Sequence, residues 1–160
     1  MSMDSAMKGK MLRKSEFTLI ELLVVILIIG ILMAILLPAI NKFRYYGYRL
    51  DEQAKAINLQ TAVMQYRNVY NNSFPKVDDG MDATDQVVDA TLLDILEKNN
   101  PRGMLFYTVK GPLKNVWGGD FYISMDGNYD NQITADGNTL GVPVAVYTKY
   151  NGDTIGSWEK

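Results

Sequence analysis

The side chains best suited to chemistry in this sequence are hard oxygen donors. Asp126, Asn128 and Asp130 alternate along Asp126-Gly127-Asn128-Tyr129-Asp130-Asn131-Gln132-Ile133, with an apolar residue in the eighth place. Alternate residues of a turning loop converge on one point, and Ca2+ gathers roughly six to eight oxygens at such points. Gln132 adds a further amide oxygen, and Asp136 follows in the eleventh place. An EF-hand loop carries Gly in the sixth place and Glu in the twelfth, where this chain has Asn131 and Gly137. Two readings stand. One is a calcium loop held by Asp126, Asn128, Asp130, Gln132 and Asp136; the other is a polar hairpin loop whose Asp and Asn side chains bond their own backbone.

The second chemical feature is Glu21. It lies near the start of the apolar run from Phe17 to Pro38 and is the one charge in it. About 20 apolar residues cover a hydrocarbon core of roughly 30 Å, so this run is long enough to span a bilayer. A carboxylate inside such a run is costly and asks for a partner.

Composition narrows the rest. Cysteine and histidine are both absent, which removes disulfides, thiol nucleophiles, the commonest general base and the commonest transition-metal ligand. No nucleophile-elbow or P-loop spacing is present, and the sequence reads as a non-enzyme. A formal charge of −2 argues against a nucleic-acid binder that works by bulk electrostatics.

The elements that must position these residues follow in chain order. Residues 1–16, with Lys8, Lys10, Arg13 and Lys14, read as a leader, and their charge places the N-terminus on the cytoplasmic side. One helix is expected from about Phe17 to Tyr70. Gly30 is a soft point in it, and Pro38 is expected to kink or locally melt it, because proline lacks an amide hydrogen and clashes with the preceding turn. Beyond Pro38 the residues Phe43, Leu50, Ile57 and Met64, with Tyr46, Ala54 and Thr61 beside them, form a stripe expected to pack on a sheet. Lys42, Arg49, Asp51, Glu52, Lys55 and Arg67 face elsewhere in that reading.

Asn71-Asn72-Ser73 ends the helix, and Lys76 to Gln86 reads as an irregular acidic loop containing Asp78, Asp79, Asp82 and Asp85. A short helix is expected over Ala90 to Lys98, stopped by Asn99-Asn100-Pro101. Strands are expected at Met104 to Val109, Asp120 to Met125 and Val142 to Tyr150. Trp117 and Trp158 are expected to pack, the first at a tight turn and the second pinning the tail to the sheet. The fold class is α+β, a long helix against a small antiparallel sheet.

Phe17-Thr18-Leu19-Ile20-Glu21, preceded by basic residues and followed by Pro38, resembles the N-terminus of type IV pilins and type II secretion pseudopilins. Tyr70, Asn71, Phe74 and Pro75 match a further pseudopilin phrase, as do Trp117, Gly118 and Phe121. The resemblance implies a pilin-like fold and cleavage between Glu16 and Phe17 by a prepilin peptidase that methylates the new Phe17 amine. It also implies that Glu21 neutralises that amine on a neighbouring subunit as copies stack in a helical filament. Major pseudopilins hold calcium in the same C-terminal region, so the resemblance points Ca2+ to the Asp126 loop.

On this basis the chain divides into a leader at 1–16, a transmembrane and polymerisation helix at 17–38, and a periplasmic pilin-like domain at 39–160 that includes the helix to about 70. The implied setting is the inner membrane, crossed once, with assembly machinery, membrane lipid and other pilin subunits as partners, and no nucleic acid. The absence of cysteine favours a type II secretion pseudopilin over a minor type IV or competence pilin. A non-polymerising, membrane-anchored periplasmic binding module is the rival of a different class. Glu16 favours that rival, because the family carries Gly before the cut.

Overall fold

The computed structural model describes residues 17–77, 80–109 and 111–159. The leader with Glu16, and Asp78 and Asp79 of the acidic loop, lie outside the described residues. The chain forms two compact units, the first ending at Phe43 and the second beginning at Arg44.

Helix α1, Leu19–Val69, supplies the described helix of the first unit and the opening element of the second. Its start is set by Thr18 and Glu21, a Ser/Thr-x-x-Glu pattern in which each residue satisfies a free amide of the other. Leu and Ile follow almost without interruption, and the helix stays helical through Gly30 and Pro38. The local melting expected at Pro38 is therefore absent. Among the described residues, α1 is the one helix long and apolar enough to cross a membrane, and none of its most apolar window is buried.

In the second unit, α1 lies on an antiparallel sheet of order β1-β2-β5-β6. The strands are β1, Ala83–Val87, β2, Phe121–Met125, β5, Val144–Tyr150, and β6, Asp153–Gly156. A separate hairpin joins β3, Ile133–Ala135, to β4, Asn138–Leu140. Helix α2, Ala90–Glu97, is started by Asp89, whose side chain accepts from Leu92 N at 2.8 Å. Strands β2 and β5 run in full register, with Ile123 opposite Val146.

The main core joins Ala56, Leu59 and Val63 of α1 to Leu92, Leu93 and Leu96 of α2 and to the inner face of the sheet, Phe121, Ile123, Met125, Val144 and Val146. The other face of β5 is covered too. Ala145 and Tyr147 pack with Ile133 and Ala135, and Trp158 joins them at the tail.

This arrangement corrects the expected stripe on α1. Met64 packs against the core as expected, but Phe43, Leu50 and Ile57 are 75%, 66% and 41% exposed, while Glu52, Ala56, Leu59, Ala62 and Val63 are buried. The reason is steric. Ala56, Leu59 and Val63 share one side of α1 and pack into the same core as α2 and the inner face of the sheet, which leaves Leu50 and Ile57 on the other side. Glu52 sits on the same face; its Oε1 accepts from Lys55 and from Val116 N, while its Oε2 is buried without a hydrogen-bond partner.

Three further differences concern strands. Met104 to Val109 forms no strand; instead Phe106 N and Tyr107 N donate to Leu96 O at 2.8 and 3.2 Å, closing the end of α2. The acidic segment yields β1 despite its irregular composition, with a bulge between Ala83 and Gln86 where Asp85 takes φ 48°. The hairpins through Asp136-Gly137 and Asn151-Gly152 add β3, β4 and β6.

Candidate assembly and metal sites

At the start of α1, the Glu21 carboxylate is engaged from its own chain. Its Oε2 accepts from Thr18 N at 2.8 Å and from Thr18 Oγ1 at 2.9 Å, and Glu21 N donates back to Thr18 Oγ1 at 3.3 Å. The box leaves Oε1 uncommitted among the described residues, and both Glu21 and Phe17 are exposed. The free amides of a helix start carry partial positive charge, so the carboxylate stands where a helix tolerates it best. From Leu19 to Leu37 every large apolar side chain is exposed. Such a surface suits lipid or other helices, not water.

The loop after β2 brings several of the sequence-predicted donors together. Asp126 is 1% exposed; its Oδ2 accepts from Asn131 N at 2.9 Å, and its Oδ1 is buried without a partner. Asn128 Oδ1 accepts from Asp130 N at 2.8 Å, and Asp130 Oδ1 accepts from Gln132 N at 2.8 Å. Asp130 and Gln132 line one small polar depression together with Asp82. Asp82 was not foreseen as a site residue: its Oδ1 accepts from Asn128 N at 3.2 Å. Its place in the acidic segment was the one available signal.

Backbone geometry shapes this loop. A Cβ at Gly127 would stand 1.9 Å from Met81 O, so only glycine fits beneath that carbonyl. Tyr129 and Asn131 adopt φ 64° and 61°, the left-handed region that turns successive side chains toward one side.

Asp136 stands apart from this set. It occupies the β3–β4 turn with Gly137, both at positive φ, as a two-residue hairpin turn requires. Its carboxylate is held by Lys149 and by Thr154 Oγ1, and these hydrogen bonds keep it below the usual carboxylate range. Among the described residues no group of three acidic side chains lies close enough to hold a metal by itself. In kind, the buried, unpartnered Asp126 oxygen suits a hard cation, while Asn128 Oδ1 and Asp130 Oδ1 accept from the loop's own backbone as the hairpin-loop reading expects.

Trp117 sits in the expected tight turn. Asn115 Oδ1 accepts from Trp117 N and Gly119 N at 3.0 and 2.7 Å, and the indole stacks on Tyr150 with ring centres 4.0 Å apart. It is half-buried, not enclosed. Trp158 meets Tyr147 edge-on at 5.8 Å, tying the tail to β5 as expected.

A long helix with an uncovered apolar first portion, whose later turns pack on a small antiparallel sheet, is the architecture of a pilin-like subunit. The likeness extends along the chain. It is similar to the type II secretion system core protein G of Klebsiella pneumoniae, 26% identical over 148 residues, which cover 92% of this chain and 96% of that protein. It is also similar to the protein of the same name from Vibrio cholerae, 27% identical over 152 residues, covering 93% of this chain and 94% of that protein. No family model matches the chain, and no solved structure matches it.

Proposed function

We propose that this chain is a structural subunit of a type II secretion pseudopilus. The observation that carries the proposal is the continuously exposed apolar surface of α1 with Glu21 at its start, on a chain similar over nearly its whole length to secretion core protein G. In this reading the helix resides in the inner membrane, the second unit lies in the periplasm, and a prepilin peptidase cuts between Glu16 and Phe17 and methylates the Phe17 amine. Inner-membrane machinery then extracts the subunit into a filament that supports protein secretion.

Glu21 is suited to the assembly step. A buried carboxylate and a buried ammonium each cost several kcal/mol unpaired, and pairing offsets both costs. Thr18 occupies one oxygen of Glu21, which leaves the other for the Phe17 amine of a neighbouring copy. The exposed stripe of Leu50 and Ile57 gives a second apolar surface for neighbours in a filament.

Calcium belongs to the same reading. Asp126, Asn128 and Asp130 would hold it, with Asp82 and Gln132 close by, and its charge would neutralise the buried Asp126 carboxylate. Asp136 is committed to Lys149 and is no part of that set.

The deciding experiment is the intact mass of the protein recovered from cell envelopes. A species lacking residues 1–16 and carrying one added methyl group is expected. A full-length mass would mean that Glu16 blocks the cut, and the permanently anchored binding module would replace the filament subunit.

A further inference from the structure

Five aromatic rings gather where the second unit begins. Trp117 stacks on Tyr150 at 4.0 Å, and Tyr45 lies 6.0 Å from Tyr150 and 6.1 Å from Trp117. Tyr48 meets Trp117 edge-on at 6.2 Å, and Tyr46 meets Tyr45 edge-on at 5.9 Å. Tyr46 and Tyr48 are exposed, and the other three rings are half-buried. The Tyr45 hydroxyl donates to Asp153 at 3.1 Å. Among the described residues, the hydroxyls of Tyr46, Tyr48 and Tyr150 have no hydrogen-bond partner. Arg44, exposed beside them, has no ion pair there either, whereas Arg49 is held by Glu159 at 3.1 Å.

Half-exposed rings with unpartnered hydroxyls are poor economy for a surface facing bulk water. They suit a layer that is apolar on one side and hydrogen-bonding on the other, where Trp and Tyr concentrate at membrane surfaces. The chain confines them to that layer. Tyr45 follows Ile40, an apolar residue just past the Phe17–Pro38 run, by five positions of one continuous helix, a rise of about 7.5 Å at 1.5 Å per residue. A run of about 20 residues fills the hydrocarbon core, and headgroups add roughly 6 Å on each side.

We propose that Arg44, Tyr45, Tyr46, Tyr48, Trp117 and Tyr150 form a contact for phospholipid headgroups on the face of the bilayer from which the second unit emerges. Arg44 and the hydroxyls of Tyr46, Tyr48 and Tyr150 donate to lipid phosphate, while the ring faces rest at the acyl boundary. Asp153 is the acid at this patch, and Tyr45 keeps it occupied. The contact gives the membrane-resident chain a fixed seat on the bilayer. It rests on residues 17–38 spanning a bilayer, but not on cleavage or polymerisation.

The test uses the full chain in lipid nanodiscs. The sequence has two tryptophans, so Trp158→Phe leaves Trp117 as the sole indole emitter and Trp117→Phe leaves Trp158. With phosphatidylcholine spin-labelled at the headgroup, Trp117 emission is expected to be quenched about two-fold more than Trp158 emission. If Trp158→Phe unfolds the domain, the difference between the unaltered chain and Trp117→Phe isolates the same signal. Equal, weak quenching of both tryptophans overturns the proposal. Trp117 shielded from the probe only in discs holding several copies also overturns it, and assigns the patch to a second copy of this chain. A chain that fails to co-float with vesicles overturns the spanning reading together with this one.

Discussion

Glu52 Oε1 on α1 accepts from Val116 N at 2.9 Å, so a fully buried carboxylate anchors the turn that carries Trp117. The same oxygen accepts from Lys55 Nζ at 2.9 Å, and Lys55 also reaches Asp51 at 2.9 Å. A charge is rarely left at 0% exposure unless it is paired and hydrogen-bonded. Glu52→Ala strands a main-chain donor and a buried cavity together, and is expected to destabilise the protein by about 2–3 kcal/mol. Thermal melts in detergent measure this, and Trp117 emission should shift red as the turn loosens. An unchanged midpoint would show that the contact is dispensable.

Glu21→Ala is expected to abolish filament formation while leaving the chain in the membrane, because removing a carboxylate from an apolar helix makes insertion easier. Thr18→Val, which breaks the capping box, is expected to weaken the start of the helix by about 1 kcal/mol and to reduce assembly without abolishing it. Recovery of the protein in the sheared filament fraction, against the membrane fraction, separates these outcomes. Filaments of normal yield from Glu21→Ala would remove Glu21 from the assembly site.

Much of this architecture could be read from residues, and the failures have identifiable causes. The apolar run, the length of α1, α2, and strands β2 and β5 follow from composition and periodicity. The packed face of α1 did not, because Glu52 interrupts the apolar pattern on the buried side while Phe43, Leu50 and Ile57 make a cleaner pattern on the exposed one. Periodicity finds an apolar face; it cannot say which partner covers it. Strands β3, β4 and β6 are short, yet Asp136-Gly137 and Asn151-Gly152 are dipeptides that favour tight hairpins, and all four residues have positive φ. Recognising the first of these would also have separated Asp136 from the Asp126 loop. The approach of Asp82 to Asn128 depends on a bulged strand in a segment of irregular composition, and no local pattern encodes it.

The buried oxygen of Asp126 makes the calcium proposal measurable. Ligand that binds the folded state raises its stability by about 2.7 kcal/mol at one hundred times the dissociation constant. Millimolar calcium is therefore expected to raise the thermal midpoint of the full chain by several degrees, and a chelator to reverse the rise. Asp126→Ala should lose this response, whereas Asp136→Asn should keep it. A midpoint that ignores calcium in the unaltered protein would leave the loop as a hydrogen-bonded hairpin connection.

Acid stability tests the other role assigned to Asp136. Hydrogen bonds from Lys149 and then Thr154 hold its carboxyl below the usual range, and burial opposes them only partly. The folded value thus lies below the unfolded one, near 3.9. The stabilisation is fully present above about pH 5 and is lost as pH falls through the folded value. Lys149 is shifted up, chiefly by its hydrogen bond to Asp136. Its contribution is present below the ordinary lysine value and disappears as pH rises through the folded one. Since Lys149 is half exposed, the pair contributes about 0.5–1 kcal/mol at neutral pH. Asp136→Asn should lower the stability by that amount at pH 7 and by progressively less as pH falls through the folded value, where the unaltered protein loses the same contact. Melting curves from pH 3 to pH 7 follow this convergence. A constant gap across the range would assign the effect to the β3–β4 turn itself and not to the charge.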